Sequence, residues 1–152
     1  MTTTLVLGLG NTLRGDDGLG PAVVDWLNQH GLPPGVKAVD GGTPGLEMVL
    51  TLADYPRVVI VDAADMHRAP GEWTRLSAGQ VQPSERARLS LHYAGLAEAL
   101  ALGAELNTLP AELVIYGIQP QQVDWSPGLS PAAQAAVPAV GRAVLEDLWP
   151  KS

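Results

Sequence analysis

Four aspartates and one histidine occupy places in this sequence where side chains could do chemistry. Asp16 and Asp17 lie in the glycine-rich segment Gly10-Asn11-Thr12-Leu13-Arg14-Gly15-Asp16-Asp17-Gly18, which follows an apolar run. Asp40 opens Asp40-Gly41-Gly42-Thr43, Asp62 ends the run Arg57–Val61, and His92 follows Ser90 and Leu91. Carboxylates with one imidazole suit a divalent metal of borderline hardness that keeps positions open for water or a substrate group. The same set suits a carboxylate pair working as acid and base. Each residue also has a plain structural use. Asp16 or Asp17 could cap the helix that follows, and for Asp16 capping is the preferred reading. Asp40, before two glycines, could be a turn residue that bonds its own backbone. His92 could simply open a helix. Asp62 is harder to explain this way, because a carboxylate ending an all-apolar strand is costly to bury without a partner. His30 and His67 read as surface residues, with His67, in a turn close to Asp62, the reserve ligand.

Other chemistries are excluded by what is missing. There is no cysteine, so there is no disulfide framework, thiolate metal site, iron–sulfur cluster or cysteine nucleophile. Lys37 and Lys151 are the only lysines, which leaves no P-loop lysine, and neither G-x-S-x-G nor H-E-x-x-H occurs. Gly8-Leu9-Gly10 begins like a dinucleotide fingerprint. The third glycine would fall at Leu13, however, and Asp16 and Asp17 would repel a pyrophosphate. The net charge is −7 with nine basic residues, and none of these form a cluster larger than Arg86 with Arg88. No footprint for nucleic acid is visible. No run reaches the ~18–20 apolar residues of a membrane span, and no secretory signal is apparent, so a cytoplasmic protein is expected.

The elements that must position these residues follow from periodicity. Thr4–Gly10 reads as a buried strand, Pro21–Gln29 as a helix stopped by Gly31, Val36–Val39 as a short strand and Leu46–Leu52 as a helix. Arg57–Val61 is the clearest strand, since its β-branched run implies burial on both faces. Glu72–Leu76 is a possible edge strand, Leu91–Leu106 a helix and Glu112–Ile118 a strand. Pro131–Leu148 is a helix with Ser130 as N-cap and Pro131 at its first position. The 152 residues, 46% of them hydrophobic and 16% charged, suit one domain over 1–152. Alternating strands and helices predict an α/β three-layer sandwich, a twisted and mostly parallel sheet with helices on both faces. Ligands of such sheets bind beyond the carboxyl ends of the strands, where the four aspartates and His92 would meet.

At this level of detail the motifs are recognisable. Gly8–Gly20 resembles the opening signature of the hydrogenase maturation endopeptidases, which trim a C-terminal extension from the large subunit of nickel–iron hydrogenases. Asp40-Gly41-Gly42-Thr43-Pro44-Gly45 is similar to the family's second motif and Val61-Asp62-Ala63 to its third. Ser90-Leu91-His92-Tyr93-Ala94-Gly95-Leu96 is similar to the segment that holds its histidine. Gly117-Ile118-Gln119-Pro120 and Gly128-Leu129-Ser130-Pro131 resemble its C-terminal pattern. The match runs in order from about residue 4 to residue 148.

The resemblance implies metal ligands and catalytic residues at Asp17, Asp62 and His92. Some members have Glu where this chain has Asp17, one methylene shorter. It also places Asn11, Asp40, Gly41, Gly42 and Thr43 along the substrate-binding part of the cleft, with Asp40 near the cleft but not a ligand. The implied partner is a nickel–iron hydrogenase large-subunit precursor, which itself supplies the nickel; other divalent metals could substitute. Two routes to an activated water stay open: nickel as Lewis acid, or Asp62 or Asp17 as general base. Two other functions compete. One is a non-catalytic nickel-checking chaperone of the precursor, and the other a metal-dependent hydrolase of small molecules.

Overall fold

The run Thr4–Leu9 (TLVLGL) is buried at every position, which requires neighbouring strands on both sides and cover on both faces. The computed structural model, which describes residues 2–80 and 91–149 and no side chains at 91–94, shows how that is met. Thr4–Leu9 is β1, and the other strands are β2 (Val36–Gly42), β3 (Arg57–Ala63), β4 (Trp73–Ser77) and β5 (Glu112–Ile118). Their order across the sheet is β2-β1-β3-β5-β4. β1 is parallel to β2 and β3, and β3 is parallel to β5; only the edge strand β4 runs antiparallel, beside β5. The helices are α1 (Leu19–His30), α2 (Leu46–Leu52), α3 (Leu91–Glu105) and α4 (Pro131–Leu148).

Strand side chains alternate between the faces and build two cores. Val6, Val59, Val61 and Ile118 pack with α1 and α4. Leu5, Leu7, Leu9, Val58 and Ile60 pack with α2 and α3 on the other face. The fold is therefore the expected three-layer α/β arrangement. Truncating one of these buried side chains to Ala costs about 2–5 kcal/mol. A surface pair such as Arg57 with Glu112 (3.4 Å, the Glu side chain 71% exposed) contributes roughly 0–1 kcal/mol. Packing thus decides stability.

Two strands run further than the sequence pattern predicts. β3 continues through Asp62 to Ala63, because Asp62 pairs with Gly117 and Ala63 with Ile118 in β5. β2 continues through Asp40 to Gly42, because the ladder with β1 shifts between Gly8 and Leu9, so that Leu9 meets Gly42. Both aspartates are strand residues at the carboxyl edge and not the first residues of loops. α1 begins at Leu19, two residues before the expected start. α4 opens as expected, with Ser130 Oγ accepting from the Ala133 N–H.

Glycine sets how closely α1 meets the sheet. A Cβ at Gly20 would lie 2.2 Å from the Leu9 carbonyl oxygen and 2.6 Å from that of Val61. A Cβ at Gly8 would lie 2.5 Å from the carbonyl oxygen of Gly20. The Gly8-Leu9-Gly10 pattern that resembles a dinucleotide fingerprint thus serves close contact between helix and strand.

At the amino edge of the sheet, the end of α4 is tied down by polar groups. The buried Tyr116 hydroxyl donates to the Asp147 carboxylate, Arg75 Nε reaches the same oxygen at 2.8 Å, and Arg57 donates to the Asp147 carbonyl. Burial alone would push the Asp147 carboxyl up, but the Tyr116 hydroxyl and Arg75 outweigh it and hold it below the usual range. A folded-state value below the unfolded one of about 3.9 stabilises fully above that pH; the stabilisation is lost as pH falls through the folded value. Tyr116→Phe is expected to cost roughly 1.5–3 kcal/mol, a hydrogen bond to a charged group, and to lower Tm by several degrees at pH 7. The gap between the two proteins should narrow in acid. Equal melting curves at pH 7 by circular dichroism would show that the bond stabilises nothing.

Candidate active site

The segment after β1 makes a tight return that carries both adjacent aspartates. Gly10 has φ +137°, and a Cβ there would sit 1.8 Å from the Asp17 carbonyl oxygen, so only glycine fits. The Gly10 N–H donates to the Gly42 carbonyl at 2.8 Å, joining this segment to the end of β2. Asn11 shapes the turn: its side-chain oxygen accepts from the Leu13 N–H at 2.9 Å and its carbonyl from the Arg14 N–H at 3.0 Å. Its own N–H donates to Asp17 Oδ2 at 2.8 Å. Residues Gly15–Gly18 form one turn of 3₁₀ helix, buried throughout, and pack against β3. Asp17 is 1% exposed.

Asp62 is also 1% exposed. Strand alternation puts it on the same face as Val58 and Ile60, the face covered by α2 and α3. His92 is the second residue of α3, so the chain brings its backbone to the face that Asp62 shares. Its side chain lies outside the described residues. Among the described residues, no three acidic or histidine side chains gather at metal-ligand spacing. His30 stacks on Trp26 and is exposed; His67 is exposed with φ +57°. Both are the surface residues the sequence suggests.

Asp40 behaves as a turn-type residue within a strand end: its Oδ1 accepts from the Gly42 N–H at 2.9 Å, and it is exposed. Together with Gly41, Thr43, Glu47, Met48 and Leu7 it lines a cleft of about 250 Å³ between β2 and α2. Gly42 instead joins the β1 return, and Asn11 sits in that return. The expected substrate-binding residues thus divide between the cleft and the rim next to Asp17.

Asp16 departs from expectation. The N-cap of α1 is Gly18, and no side chain caps that helix. Asp16, 0% exposed, turns away to the segment between β5 and α4. Its Oδ1 accepts from the Ser130 N–H at 2.7 Å. Its Oδ2 accepts from Ser130 Oγ at 2.6 Å, from the Gln121 N–H at 2.8 Å and from the Gln122 N–H at 3.3 Å. Burial alone would push this carboxyl up, but the Ser130 hydroxyl and the backbone N–H donors outweigh it and hold it below the usual range. Capping α1 cannot compete, because it would satisfy one backbone donor and give up four such bonds.

Gln119, which the sequence places in a motif without giving it a role, is a structural anchor. It is 7% exposed, and its side-chain oxygen accepts from the Met66 N–H at 2.7 Å and the Arg68 N–H at 3.2 Å. It thereby fixes the loop that follows Asp62. The sequence signal was present but general: a glutamine directly after an apolar strand, at the edge where ligands bind.

With this geometry in place, comparison with known proteins is direct. The family model described as hydrogenase maturation protease matches residues 21–147. The chain belongs to the hydrogenase maturation protease family. It is 35% identical to the hydrogenase expression/formation protein HoxM of Azotobacter vinelandii, over 95% of this chain and 71% of that protein. It is 33% identical to the hydrogenase 2 maturation protease of Escherichia coli K12, over 88% of this chain and 82% of that one. The chain spans 58% and 55% of the length of two other curated relatives. The structure of the hydrogenase maturating endopeptidase HybD from E. coli superposes with a TM-score of 0.82 at 30% identity, covering 97% of this chain and 92% of that one. This chain is accordingly a hydrolase of the peptidase class. No helix among the described residues is long and apolar enough to cross a membrane.

The return after β1 leaves no room for a side chain at Gly10. Gly10→Ala must either move Asp17 or abandon the conformation, so a loss of more than about 3 kcal/mol of stability is expected. Gly42 also has positive φ, at +67°, but a Cβ there meets nothing within 4 Å. Gly42→Ala is expected to cost only about 1–2 kcal/mol. Urea unfolding of both variants checks the order, and equal losses would contradict it.

Proposed function

We propose that this protein is the endopeptidase that removes a C-terminal extension from the nickel-loaded large-subunit precursor of a nickel–iron hydrogenase. The observation that carries the reading is the pair Asp17 and Asp62. These two carboxylates are each 1% exposed, at the carboxyl edge of adjacent strands, in a chain of this family. Asp17 in the turn that follows β1, Asp62 near the end of the neighbouring β3, and His92 in the first turn of α3 make a donor set of carboxylate oxygen and imidazole nitrogen without thiolate. Such a set accepts Ni²⁺. Burying carboxylates this deeply is costly unless a partner compensates, and a divalent cation is a partner of the right charge.

In this reading nickel belongs to the substrate, and Asp17, Asp62 and His92 dock on it. When bound, nickel supplies Lewis acidity next to the scissile peptide. The chain's own residues do the rest. Asn11 holds Asp17 through its backbone N–H, so that carboxylate is oriented before the precursor arrives. In this reading Asp62 or Asp17 takes the proton of the attacking water; the backbone of Asp62 is held by pairing with Gly117 on β5. The exposed cleft formed by Asp40, Gly41 and Thr43 receives the extended tail, with Asn11 and Gly42 as its rim. In this reading the reaction takes place in the cytoplasm.

The intact mass of a co-expressed large subunit tests this. Cells with the unaltered chain and nickel should yield the shortened subunit. Cells with Asp62→Asn, Asp17→Asn or His92→Ala should retain the extension, with cleavage reduced by about a hundredfold or more, the scale of general acid–base catalysis. Loss of the extension with Asp62→Asn at an undiminished rate would remove Asp62 as the base. A stable complex of the unaltered chain with an uncut precursor would instead support a nickel-checking chaperone.

A further inference from the structure

One segment, Gln119–Ser130, touches both the turn that carries Asp17 and the loop that follows Asp62. On one side, Gln119 binds the N–H groups of Met66 and Arg68, its Nε2 donates to Asp65 Oδ1 at 3.2 Å, and its carbonyl accepts from the Gly71 N–H at 2.9 Å. These bonds fix the chain just beyond Asp62. On the other side, the Gly15 N–H donates to the Ser126 carbonyl at 2.7 Å and the Asp16 N–H to the Gln122 carbonyl at 2.9 Å. The Asp16 carboxylate returns four bonds to Gln121, Gln122 and Ser130. Arg14 adds its guanidinium 5.0 Å above the Trp125 ring. The peptide that carries Asp16 is bonded to that of Asp17, whose N–H donates to the Arg14 carbonyl at 3.1 Å within the same turn.

We propose that Asp16 is a positioning residue: it locks the Asp17 turn to the segment that also holds the loop after Asp62, and so sets one carboxylate relative to the other. The inference rests on the assignment of Asp17 and Asp62 to the precursor's nickel. The chemistry of the contacts explains why the residue is an acid. All four partners are donors, three backbone N–H groups and one hydroxyl, so the pocket demands acceptors on both oxygens. Asparagine has nearly the same shape but presents an NH₂ to donors on one side, leaving buried N–H groups without an acceptor. The turn must then move, and Asp17, the next residue, moves with it.

The experiment compares Asp16→Asn with Tyr116→Phe, which loosens the end of α4 by removing its bond to Asp147. Two readouts are taken on the full chain: the amide resonance and hydrogen exchange of Asn11, whose N–H is bound to Asp17, and the kinetics of precursor cleavage. Asp16→Asn is expected to shift the Asn11 resonance and speed its exchange about tenfold or more, and to lower kcat about a hundredfold with KM little changed, the scale of a 1 Å misplacement. Tyr116→Phe should lower Tm and leave both readouts in place. If Asp16→Asn does not fold, Ser130→Ala removes one of the four bonds and should move the same two readouts in the same direction by less. An unmoved Asn11 amide, or one moved equally by Tyr116→Phe, overturns the proposal. If the unaltered chain cleaves no precursor, the assigned function fails, while the Asn11 comparison still decides whether Asp16 orients Asp17.

Discussion

A carboxylate with no exposed surface has to be satisfied from within the protein, and Asp16 is satisfied by a segment more than a hundred residues away in sequence. The four donors it binds belong to Gln121, Gln122 and Ser130. A buried charge of this kind is strongly destabilising when its partners are removed, so the contact leaves the chain little freedom in how its ends approach. The β1 return, the segment after β5 and the start of α4 must assemble together. Ser130 links the events, since its hydroxyl both donates to Asp16 and accepts from the Ala133 N–H at the first turn of α4. α4 in turn completes the core that α1 begins. One electrostatic requirement at the carboxyl edge thus reaches the packing of a whole face.

The polar groups divide between the two edges of the sheet. At the amino edge, Tyr116, Arg75, Arg57 and Asp147 form a network among side chains and one carbonyl, which fixes the end of α4. At the carboxyl edge, Asp16 and Asp17 in the connection after β1, Asp62 near the end of β3, and Gln119 and Ser130 in the connection after β5 are all buried. Thr4 is the only other buried polar residue among those described. Parallel strands explain the asymmetry. Every strand from β1 to β3, and β5, points its carboxyl end the same way, so the connections that leave them converge. The amino edge can be closed by ordinary ion pairing, and the carboxyl edge is where the fold carries acids at its interior.

The fold was legible because its strands are buried on both faces and its helices carry clear stops. Runs such as Arg57–Val61, and the Ser130-Pro131 opening of α4, have few alternative conformations. The strand ends were less legible. Whether Asp62 lies in a strand or after it depends on Gly117 lying opposite, a pairing partner 55 residues on that no local pattern announces. The turn use of Asp40, one of two readings its sequence leaves open, is realised in its bond to the Gly42 N–H, and it was legible because that bond is local. Asp16 was misread for the same reason in reverse. Capping is the best local use of an aspartate before a helix, and the bonds that outcompete it are made across the fold. Motif resemblance, not periodicity, separated Asp17 from Asp16. The structure supplies the physical distinction, since Asp16 faces the segment beyond β5 and Asp17 faces the return after β1.

The choice of aspartate at position 17 also follows from this geometry. Its Oδ2 is held by the N–H of Asn11, only six residues back, across a return whose closure at Gly10 leaves no room for a Cβ. A short side chain suits a carboxylate that must reach its own loop backbone. A glutamate would carry its oxygens one methylene further, past the Asn11 N–H, and would add a rotatable bond to be ordered. Relatives with Glu at this place therefore need a different hold on that side chain, or a return of different shape. In this chain the acid is held close to the backbone, and precision comes from the backbone: Gly10 sets the return, Asn11 binds the carboxylate, and Asp16 anchors the turn. The position of the Asp17 carboxylate is then determined by the loop's own hydrogen bonds.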